Sequence, residues 1–157
     1  MPLRRRLSSL LLSLLLLSGC ANFGHRPPPA EISETRREIV LEALGQIGRP
    51  YRYGGTTPEG FDCSGLARYV YAQSGVEIPR STSEQHAFGK IISLEDAQPG
   101  DLLFYHFNRS LRVDHVAIYL GEGQAVHAPA NGRMVLVASV DDPSWTKRFV
   151  DVVRVIP

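Results

Sequence analysis

The stretch GFDCSGL, Gly60–Leu66, lies where a loop rich in glycine and proline gives way to a helical pattern. Its cysteine, Cys63, is the predicted first residue of that helix. Free backbone N–H groups and the positive end of the helix dipole would stabilise a thiolate there and lower the pKa of the thiol. The same N–H groups could hold an oxyanion after attack on a carbonyl. The position favours a nucleophile, since inert cysteines more often lie in mid-helix or mid-strand among aliphatic side chains.

The first 20 residues, MPLRRRLSSLLLSLLLLSGC, have the layout of a bacterial export signal, with three arginines before a leucine-rich run. The run is short for a membrane span, which needs about 20 apolar residues. Its end, LSGC at Leu17–Cys20, resembles a lipobox, in which the cysteine is acylated and the chain is cut before it. We predict a signal peptide at 1–19, a lipidated N-terminus and tether at 20–30, and one folded domain at 31–157. An ordinary cleaved signal is the alternative.

The cysteine count sharpens the interpretation of Cys63. The chain has two cysteines, and lipidation would consume Cys20, so Cys63 would have no disulfide partner. Unpaired thiols outside the cytoplasm risk oxidation, so a free one is either buried and inert or a working nucleophile.

Removing the signal leaves 14 basic and 16 acidic residues with no basic patch, which argues against a nucleic-acid partner.

Helical patterns occupy the first half of the predicted domain. The segment SETRREIVLEALGQIG begins with Ser33 as a plausible N-cap. Its apolar residues follow helical spacing and are expected to face inward: Ile39, Val40, Ala43, Leu44 and Ile47.

A second helix is predicted in CSGLARYVYAQSG, with Leu66 and Val70 facing inward, Tyr69 as a further candidate, and Gly75 ending it. A short third helix is predicted in STSEQ, whose serine and glutamate have the spacing of a capping box.

The second half changes to the period of a β-strand. Five strands are predicted, in DLLFYH, HVAIYLG, QAVHA, MVLVAS and FVDVVRVI. Between the third and the fourth, Asn131–Gly132 is a hairpin signal. Helices followed by an antiparallel meander predict an α+β domain with the sheet packed against the helices.

Two histidines fall on this sheet in suggestive positions. His115 opens the second strand and shares a face with Ala117 and Tyr119, while His127 shares its face with Ala125. The two imidazoles could lie side by side on adjacent antiparallel strands, one facing the thiol and the other holding its ring. That is the nucleophile–base–orienter arrangement of a catalytic triad.

Other uses of these residue types fit less well. A zinc site needs three or four ligands, and the sequence has no CxxC, HxH or HExxH spacing. We therefore predict no metal and no other cofactor. Ser64 as the nucleophile lacks the G-x-S-x-G elbow, and His25 falls in the predicted tether.

Taken in order, the motifs PYRYGG, FDCSGLARYVY, IPRSTSEQ, GDLLFY, DHVAIYLG and AVHA resemble the NlpC-type family of bacterial cell-wall cysteine peptidases. The resemblance runs from about Glu38 to the C-terminus. It implies a compact papain-like α+β domain, with helices packed on an antiparallel sheet of about five strands. It also implies Cys63 as nucleophile, His115 as general base and acid, and His127 as the residue that orients His115.

The resemblance suggests further site residues, each with a plainer alternative. The hydroxyl of Tyr51 would lie near the oxyanion, or the ring would simply cap the core. Asp62 and Ser64 could meet a substrate amine, or both could cap the second helix. The segment PRSTSEQ could line the groove or cap the third helix.

The lipobox and the tail DDPSWTKRFVDVVRVI resemble in particular the lipid-anchored murein endopeptidases of Gram-negative outer membranes. This implies a cofactor-free monomer whose Cys63 thiolate pairs with an imidazolium and hydrolyses peptidoglycan. The membrane would be a partner only through the lipid anchor. Ala21 is not the aspartate that commonly retains lipoproteins in the inner membrane, so the expected location is the periplasmic face of the outer membrane.

The bond cut is left with two possibilities. Cleavage of D-alanyl–diaminopimelate cross-links is favoured, because the tether leads directly into the first helix without an intervening wall-binding domain. Cleavage of γ-D-glutamyl–diaminopimelate bonds within one stem is the alternative.

Two other functions are less well supported by the sequence. Papain-like acyltransferases and lipases often carry the histidine before the cysteine, the reverse of the order here. A non-catalytic wall-binding lipoprotein would not need Cys63, His115 and His127 together.

Overall fold

Three helices precede the main sheet, as the sequence predicts, and a fourth lies between its last two strands along the chain. The computed structural model describes residues 32–108, 112–130 and 133–157. The helices are α1 (Glu34–Gly45), α2 (Cys63–Gln73), α3 (Thr82–His86) and α4 (Pro143–Thr146). The strands are β1 (Thr56–Thr57), β2 (Gly60–Phe61), β3 (Lys90–Ile92), β4 (Leu102–Tyr105), β5 (His115–Gly121), β6 (Gln124–His127), β7 (Leu136–Ser139) and β8 (Phe149–Arg154). The predicted signal, tether and Cys20 lie outside the described residues.

The main sheet has six strands in the order β3-β8-β4-β5-β6-β7, and every neighbouring pair is antiparallel. All five predicted strands are present, and β3 is added to them. The predicted pairing of β6 with β7 is confirmed, while Asn131–Gly132 lie outside the described residues.

The expectation of a simple meander is wrong for the last strand. β8 lies between β3 and β4, where Val153 pairs with Ile91 on one side and with Leu102 on the other. Val152 and Val153 are both fully buried, although they point to opposite faces of the sheet. β8 is therefore an internal strand, paired on both sides and covered on both faces.

Helix α1 begins as predicted, because the Ser33 hydroxyl accepts from Arg36 N at 3.4 Å. Its buried face differs from the predicted one. Leu44 and Ile47 are exposed, at 38% and 47%, whereas Arg36 is 2% exposed alongside the buried Ile39. The face of α1 that packs against the domain is therefore rotated, relative to the predicted face, toward Arg36.

The cause of this rotation is a buried ion pair. The Arg36 guanidinium donates to Asp101 at 3.0 Å, to Pro99 O at 2.8 Å and to Ile156 O at 2.8 Å. Arg154 donates to the same carboxylate at 2.8 Å. Breaking such a buried pair typically costs about 3–5 kcal/mol, because it leaves an uncompensated charge. A pattern of apolar residues cannot reveal a charged side chain that faces inward.

The other two predicted helices agree more closely with expectation. Leu66 and Val70 of α2 are buried, and Gly75 adopts φ +75° just beyond its end. Helix α3 has the predicted capping box between Ser81 and Glu84.

Two apolar clusters cover the two faces of the sheet. The larger one, which includes Leu66 of α2 and Val116 of β5, lies between the helices and the sheet. The smaller one includes Tyr105 and Ala117 and lies on the opposite face. The predicted alternation along β5 is thus confirmed, and it assigns His115 to the face of the smaller cluster. Within the described residues, no helix has the length and apolar content needed to cross a bilayer.

Candidate active site

Cys63 is the first residue of α2 and is a half-buried free thiol. Its Sγ lies 3.8 Å from Thr82 Oγ1 of α3. The backbone N–H groups of Val116 in β5 and of Ser64 lie near enough to the sulfur to lower the pKa of the thiol. The nucleophile candidate is therefore held where the start of α2 meets the start of β5. Thr82 was not singled out in the sequence, although it falls in the segment PRSTSEQ, which turns out both to cap α3 and to contact the thiol.

The pKa of the Cys63 thiol is raised, whereas its position at a helix start predicts that it is lowered. Burial raises the pKa of Cys63, while the hydrogen bonds from Val116, Thr82 and Ser64 lower it by less. The Ser64 N–H belongs to the first turn of α2, so the predicted helix-terminus effect is present. It is outweighed by the loss of solvation, which disfavours the charged thiolate.

Asp62 is the N-cap of α2, and both of its oxygens are engaged. One accepts from Gly65 N at 2.7 Å, and the other accepts from Gly54 N at 2.9 Å and from the Arg80 guanidinium at 2.6 Å. Ser64 is buried and accepts from Arg80 at 2.8 Å. Asp62 thus caps α2, as one of the two alternatives predicts, whereas Ser64 lies within the helix and does not cap it. A substrate role for either residue stays a prediction. The contact of Arg80 with Asp62 spans 18 residues, so no local sequence pattern predicts it.

The glycine of the DCSGL motif is required by packing at this corner. A Cβ built on Gly65 would lie 2.0 Å from the carbonyl oxygen of Gly55 in the preceding loop. The loop thus rests directly on the first turn of α2. Any other residue at position 65 would push the loop away from Cys63.

The two histidines lie together, as the strand alternation predicts. His115 opens β5 and His127 ends β6, and both are buried, at 6% and 0% exposure. His115 Nε2 lies 3.1 Å from His127 Nδ1, and the rings are within 6° of parallel. This hydrogen bond fixes the orientation of His115 and leaves its Nδ1 as the nitrogen available to another group.

Burial keeps both imidazoles neutral at physiological pH. It lowers the pKa of His115 to about 4, against a smaller opposing effect of the Asp114 carboxylate. It lowers the pKa of His127 as well, and the neighbouring His115 adds to that effect. With the thiol pKa raised, the resting pair is a neutral thiol and a neutral imidazole. The thiolate–imidazolium pair implied by the resemblance is not the favoured resting state.

Aromatic rings are the source of this dry environment. Trp145 of α4 covers the pair, with ring centroids 3.8 Å from His127 and 5.3 Å from His115. Tyr105 lies 5.6 Å from His127, and Phe107 lies 5.6 Å from His115. Neither the role of Trp145 nor its helix is predicted from the sequence. The Asp-Pro start of α4 is a helix-start signal, but four residues are too few to show a periodicity.

Tyr51 lies close enough to Cys63 for the two to interact electrostatically. The pKa of Tyr51 is raised mainly by burial and further by the charges of Cys63 and Asp62. The hydroxyl therefore stays protonated and able to donate a hydrogen bond. Its predicted place near the oxyanion fits this location and stays a prediction.

A cleft of about 650 Å³ opens beside His115. Its walls include the rings of Phe107 and Trp145 and the guanidinium groups of Arg133 and Arg148. In the ranges that the structure covers, no group of three or more His, Cys, Asp or Glu residues is arranged to hold a metal ion.

The chain matches the model of the NlpC/P60 family over residues 48–154. It belongs to the NlpC/P60 family. The chain is 36% identical over 124 residues to the probable endopeptidase YafL of Escherichia coli, an alignment that covers 76% of this chain and 50% of that protein. It is 34% identical over 129 residues to the γ-DL-glutamyl hydrolase of Bacillus subtilis, over 80% of this chain and 31% of the relative. The chain thus spans half or less of the length of these relatives.

Solved structures of the same family share the fold. The NlpC/p60 domain of the peptidoglycan hydrolase SagA is 44% identical, with a TM-score of 0.66 over 76% of this chain and 97% of that one. RipD of Mycobacterium tuberculosis, a non-catalytic NlpC/p60 protein adapted to peptidoglycan binding, is 28% identical, with a TM-score of 0.66 over 80% of this chain and 100% of that one. The papain-like α+β class expected from the resemblance is confirmed.

Proposed function

We propose that this protein is a cysteine peptidase that hydrolyses peptidoglycan peptides, with Cys63 as the nucleophile and His115 as the base. One observation carries the proposal: a free thiol lies at a helix start beside β5, whose first residue, His115, is bonded at 3.1 Å to a second buried histidine. The names of the relatives, endopeptidase and peptidoglycan hydrolase among them, support the substrate class.

The first step is a proton transfer coupled to attack. When His115 Nε2–H donates to His127 Nδ1, the Nδ1 atom of His115 carries a lone pair. As the Cys63 sulfur bonds to the amide carbonyl carbon, its proton passes to that nitrogen. His115 becomes an imidazolium, which His127 stabilises by accepting the hydrogen bond. The neutral imidazole carries the lone pair that this step requires. Because a pKa of about 4 makes His115 a weak base, the transfer depends on His127 and on the oxyanion donors to stabilise the charges that form.

The remaining steps follow from the same groups. The backbone N–H of Cys63 has no acceptor within α2, since it belongs to the first residue of the helix, and it can donate to the oxyanion together with the Tyr51 hydroxyl. His115 then returns its proton to the leaving amine, and the C–N bond breaks. Water attacks the thioester with His115 again acting as base, which releases the acid and restores the thiol.

For the bond itself, we propose the D-alanyl–diaminopimelate cross-link, as the resemblance to lipid-anchored murein endopeptidases suggests. The alternative is a γ-D-glutamyl bond within one stem, and the B. subtilis relative is named a γ-DL-glutamyl hydrolase, which supports cleavage of a γ-glutamyl bond. The full chain, purified in detergent, should convert cross-linked dimer muropeptides into monomers with intact stems, measured by mass spectrometry. Shortened stems with the cross-link preserved would show that the alternative is right.

We also propose that acylation of Cys20 anchors the protein at the periplasmic face of the outer membrane. Radiolabelled palmitate should be incorporated into the wild type and lost in Cys20→Ala. Cys63→Ala is the matched control, because it removes the other cysteine and should retain the label. Recovery of the wild type in the inner-membrane fraction would count against this location.

RipD supports a second candidate function, wall binding without catalysis. The two functions differ in what they require of Cys63. A thiol-directed probe should label the wild type at neutral pH and its labelling should abolish hydrolysis. A chain that binds peptidoglycan but hydrolyses none of it would instead support the RipD-like function.

A further inference from the structure

We propose that the cleft beside His115 is the subsite for the substrate residue that supplies the leaving amine, and that Arg133 and Arg148 bind a free carboxylate on that residue. This inference rests on the proposed function and deepens it. It assigns a role to two arginines that the chemistry of Cys63 and His115 does not use.

The position of the cleft identifies which half of the substrate it would hold. His115 forms part of its wall, and His115 is the group that returns a proton to the departing amine. The segment bonded to that amine must therefore pass close to His115. Since the cleft opens from this side chain toward Phe107 and Trp145, the amine-side residue enters it.

The charge of the cleft favours an anion. Among the described residues, neither Arg133 nor Arg148 pairs with a carboxylate. The acidic residue in the wall is Asp114, whose two oxygens already accept from the backbone N–H groups of Phe107 at 2.8 Å and Asn108 at 2.9 Å. The two guanidinium groups and the one carboxylate give the wall a net charge of +1, and no ion pair among the described residues takes up either guanidinium, so the cleft favours a ligand that brings in a negative charge.

The Arg148 side chain is also held in place. Its guanidinium carbon lies 4.9 Å from the centre of the Phe107 ring, and one of its nitrogens donates to Ser144 O at 2.6 Å. A guanidinium fixed in this way loses less freedom on binding a ligand, and its planar donors match a carboxylate. The Phe107 and Trp145 rings, whose centroids are 5.5 Å apart, offer apolar contact for a methylene chain.

Diaminopimelate fits this combination of charged and apolar groups. It carries an amine and a carboxylate at each end of a short methylene chain. In a D-alanyl–diaminopimelate cross-link, the acylated end keeps its own carboxylate free, next to the leaving nitrogen. In the stem bond, the corresponding carboxyl is joined to the next residue unless the stem ends there. A carboxylate-binding cleft therefore favours the cross-link over the longer stems.

The test compares paired substrates that differ only at this carboxylate. Cross-linked dimers with the carboxylate free or amidated are digested by the full-length wild type, Arg148→Gln and Arg133→Gln, and kcat and KM are measured by chromatography. Each arginine variant should lose about tenfold in kcat/KM, mainly through KM, on the free carboxylate and nothing on the amide. Lys147→Gln is the matched control, because it removes a neighbouring positive charge outside the cleft and should behave as the wild type.

Equal wild-type rates on both substrates, or equal losses by the arginine variants on both, would overturn the inference while leaving the proposed function intact. Binding is measured separately by titrating Cys63→Ala with a diaminopimelate tripeptide, free or amidated at its diaminopimelate carboxylates. A preference for the free form supports the cleft even if the wild type proves to hydrolyse neither bond, which would be a failure of the proposed function. No preference overturns the inference in either case.

Discussion

The nucleophile and the base of this site are held by opposite kinds of surroundings. Cys63 is surrounded by polar donors, among them the N–H groups of Ser64 and Val116 and the hydroxyl of Thr82. His115 and His127 lie under aromatic rings, with a single hydrogen bond between them. The polar side has several interchangeable contacts, whereas the aromatic side depends on one hydrogen bond and on the exclusion of water. We therefore expect the supports of the thiol to tolerate substitution better than those of the histidines.

The largest effect should come from the nucleophile itself. Cys63→Ala should fold normally, because it removes one small side chain at a helix start, yet lose activity by at least about 10⁴-fold. Cys63→Ser should be nearly as inactive, since a hydroxyl ionises far less readily than a thiol. Hydrolysis is measured on cross-linked muropeptides and folding by circular dichroism. Substantial activity in either purified variant would refute the assignment of Cys63.

The two histidines should separate base from orienter. His115→Ala should lose about as much rate as Cys63→Ala, because the two groups act as a unit. His127→Ala should lose less, about 10²-fold, since it removes only the group that orients the ring. His86→Ala is the control: this histidine bonds Asp151 at 2.8 Å and takes no part in the site. If His115→Ala and His127→Ala prove equally mild, the roles are wrongly assigned.

Removing the aromatic cover should shift the pH dependence. The base must be neutral, and burial holds the pKa of His115 at about 4, so the acid limb of wild-type kcat/KM should lie well below pH 6.5. Trp145→Ala admits water, which should raise that pKa toward its ordinary value and move the acid limb to higher pH. The loss of rate should be about tenfold at neutral pH and larger in acid.

Trp145→Phe keeps a ring over His127 and should restore most of the wild-type profile. A structural role alone would lower the rate at every pH without moving the limb. An unmoved acid limb in Trp145→Ala would therefore contradict the proposal that Trp145 keeps the pair dry.

Features of the fold that depend on neighbouring residues could be predicted from the sequence, whereas features that depend on distant residues could not. The N-cap serine of α1, the capping box of α3 and the alternation that brings His115 beside His127 are encoded within a few residues, and all three were predicted correctly. The cover provided by Trp145 joins residues 18 positions or more apart, and no local pattern marks it. The insertion of β8 and the inward-facing Arg36 depend on partners that are farther apart still in the sequence.

The direction in which the pKa of Cys63 is shifted could not be predicted from neighbouring residues either. The position of Cys63 at a helix start is visible in the sequence, and so is the stabilising effect of that position. The opposing effect, desolvation, depends on how closely α2, α3 and β5 pack around the sulfur. The shift in the pKa of Cys63 is the sum of these two opposing effects. Its direction therefore cannot be predicted from the helix start alone.

The smallest effect should come from the polar side, at Arg80. Its guanidinium holds Asp62 at 2.6 Å and Ser64 at 2.8 Å, but the side chain is 35% exposed, so the pair should contribute no more than about 1 kcal/mol. In Arg80→Gln, Asp62 would keep its bonds to Gly65 N and Gly54 N. We expect a loss of severalfold in kcat and a small decrease in the midpoint of thermal unfolding.

Arg68→Gln is the matched control for Arg80→Gln, because it removes an exposed positive charge from α2 itself. The substitution at Arg80 also bears on the two interpretations of Asp62. If Asp62 only caps the helix, KM should not depend on whether the substrate has a free N-terminal amine. If Asp62 binds that amine, releasing its carboxylate from Arg80 should lower KM for peptides with a free N-terminal amine. A loss of rate as large as that of His127→Ala would show that the polar contacts around Cys63 are not interchangeable, and the contrast between the two halves of the site would fail.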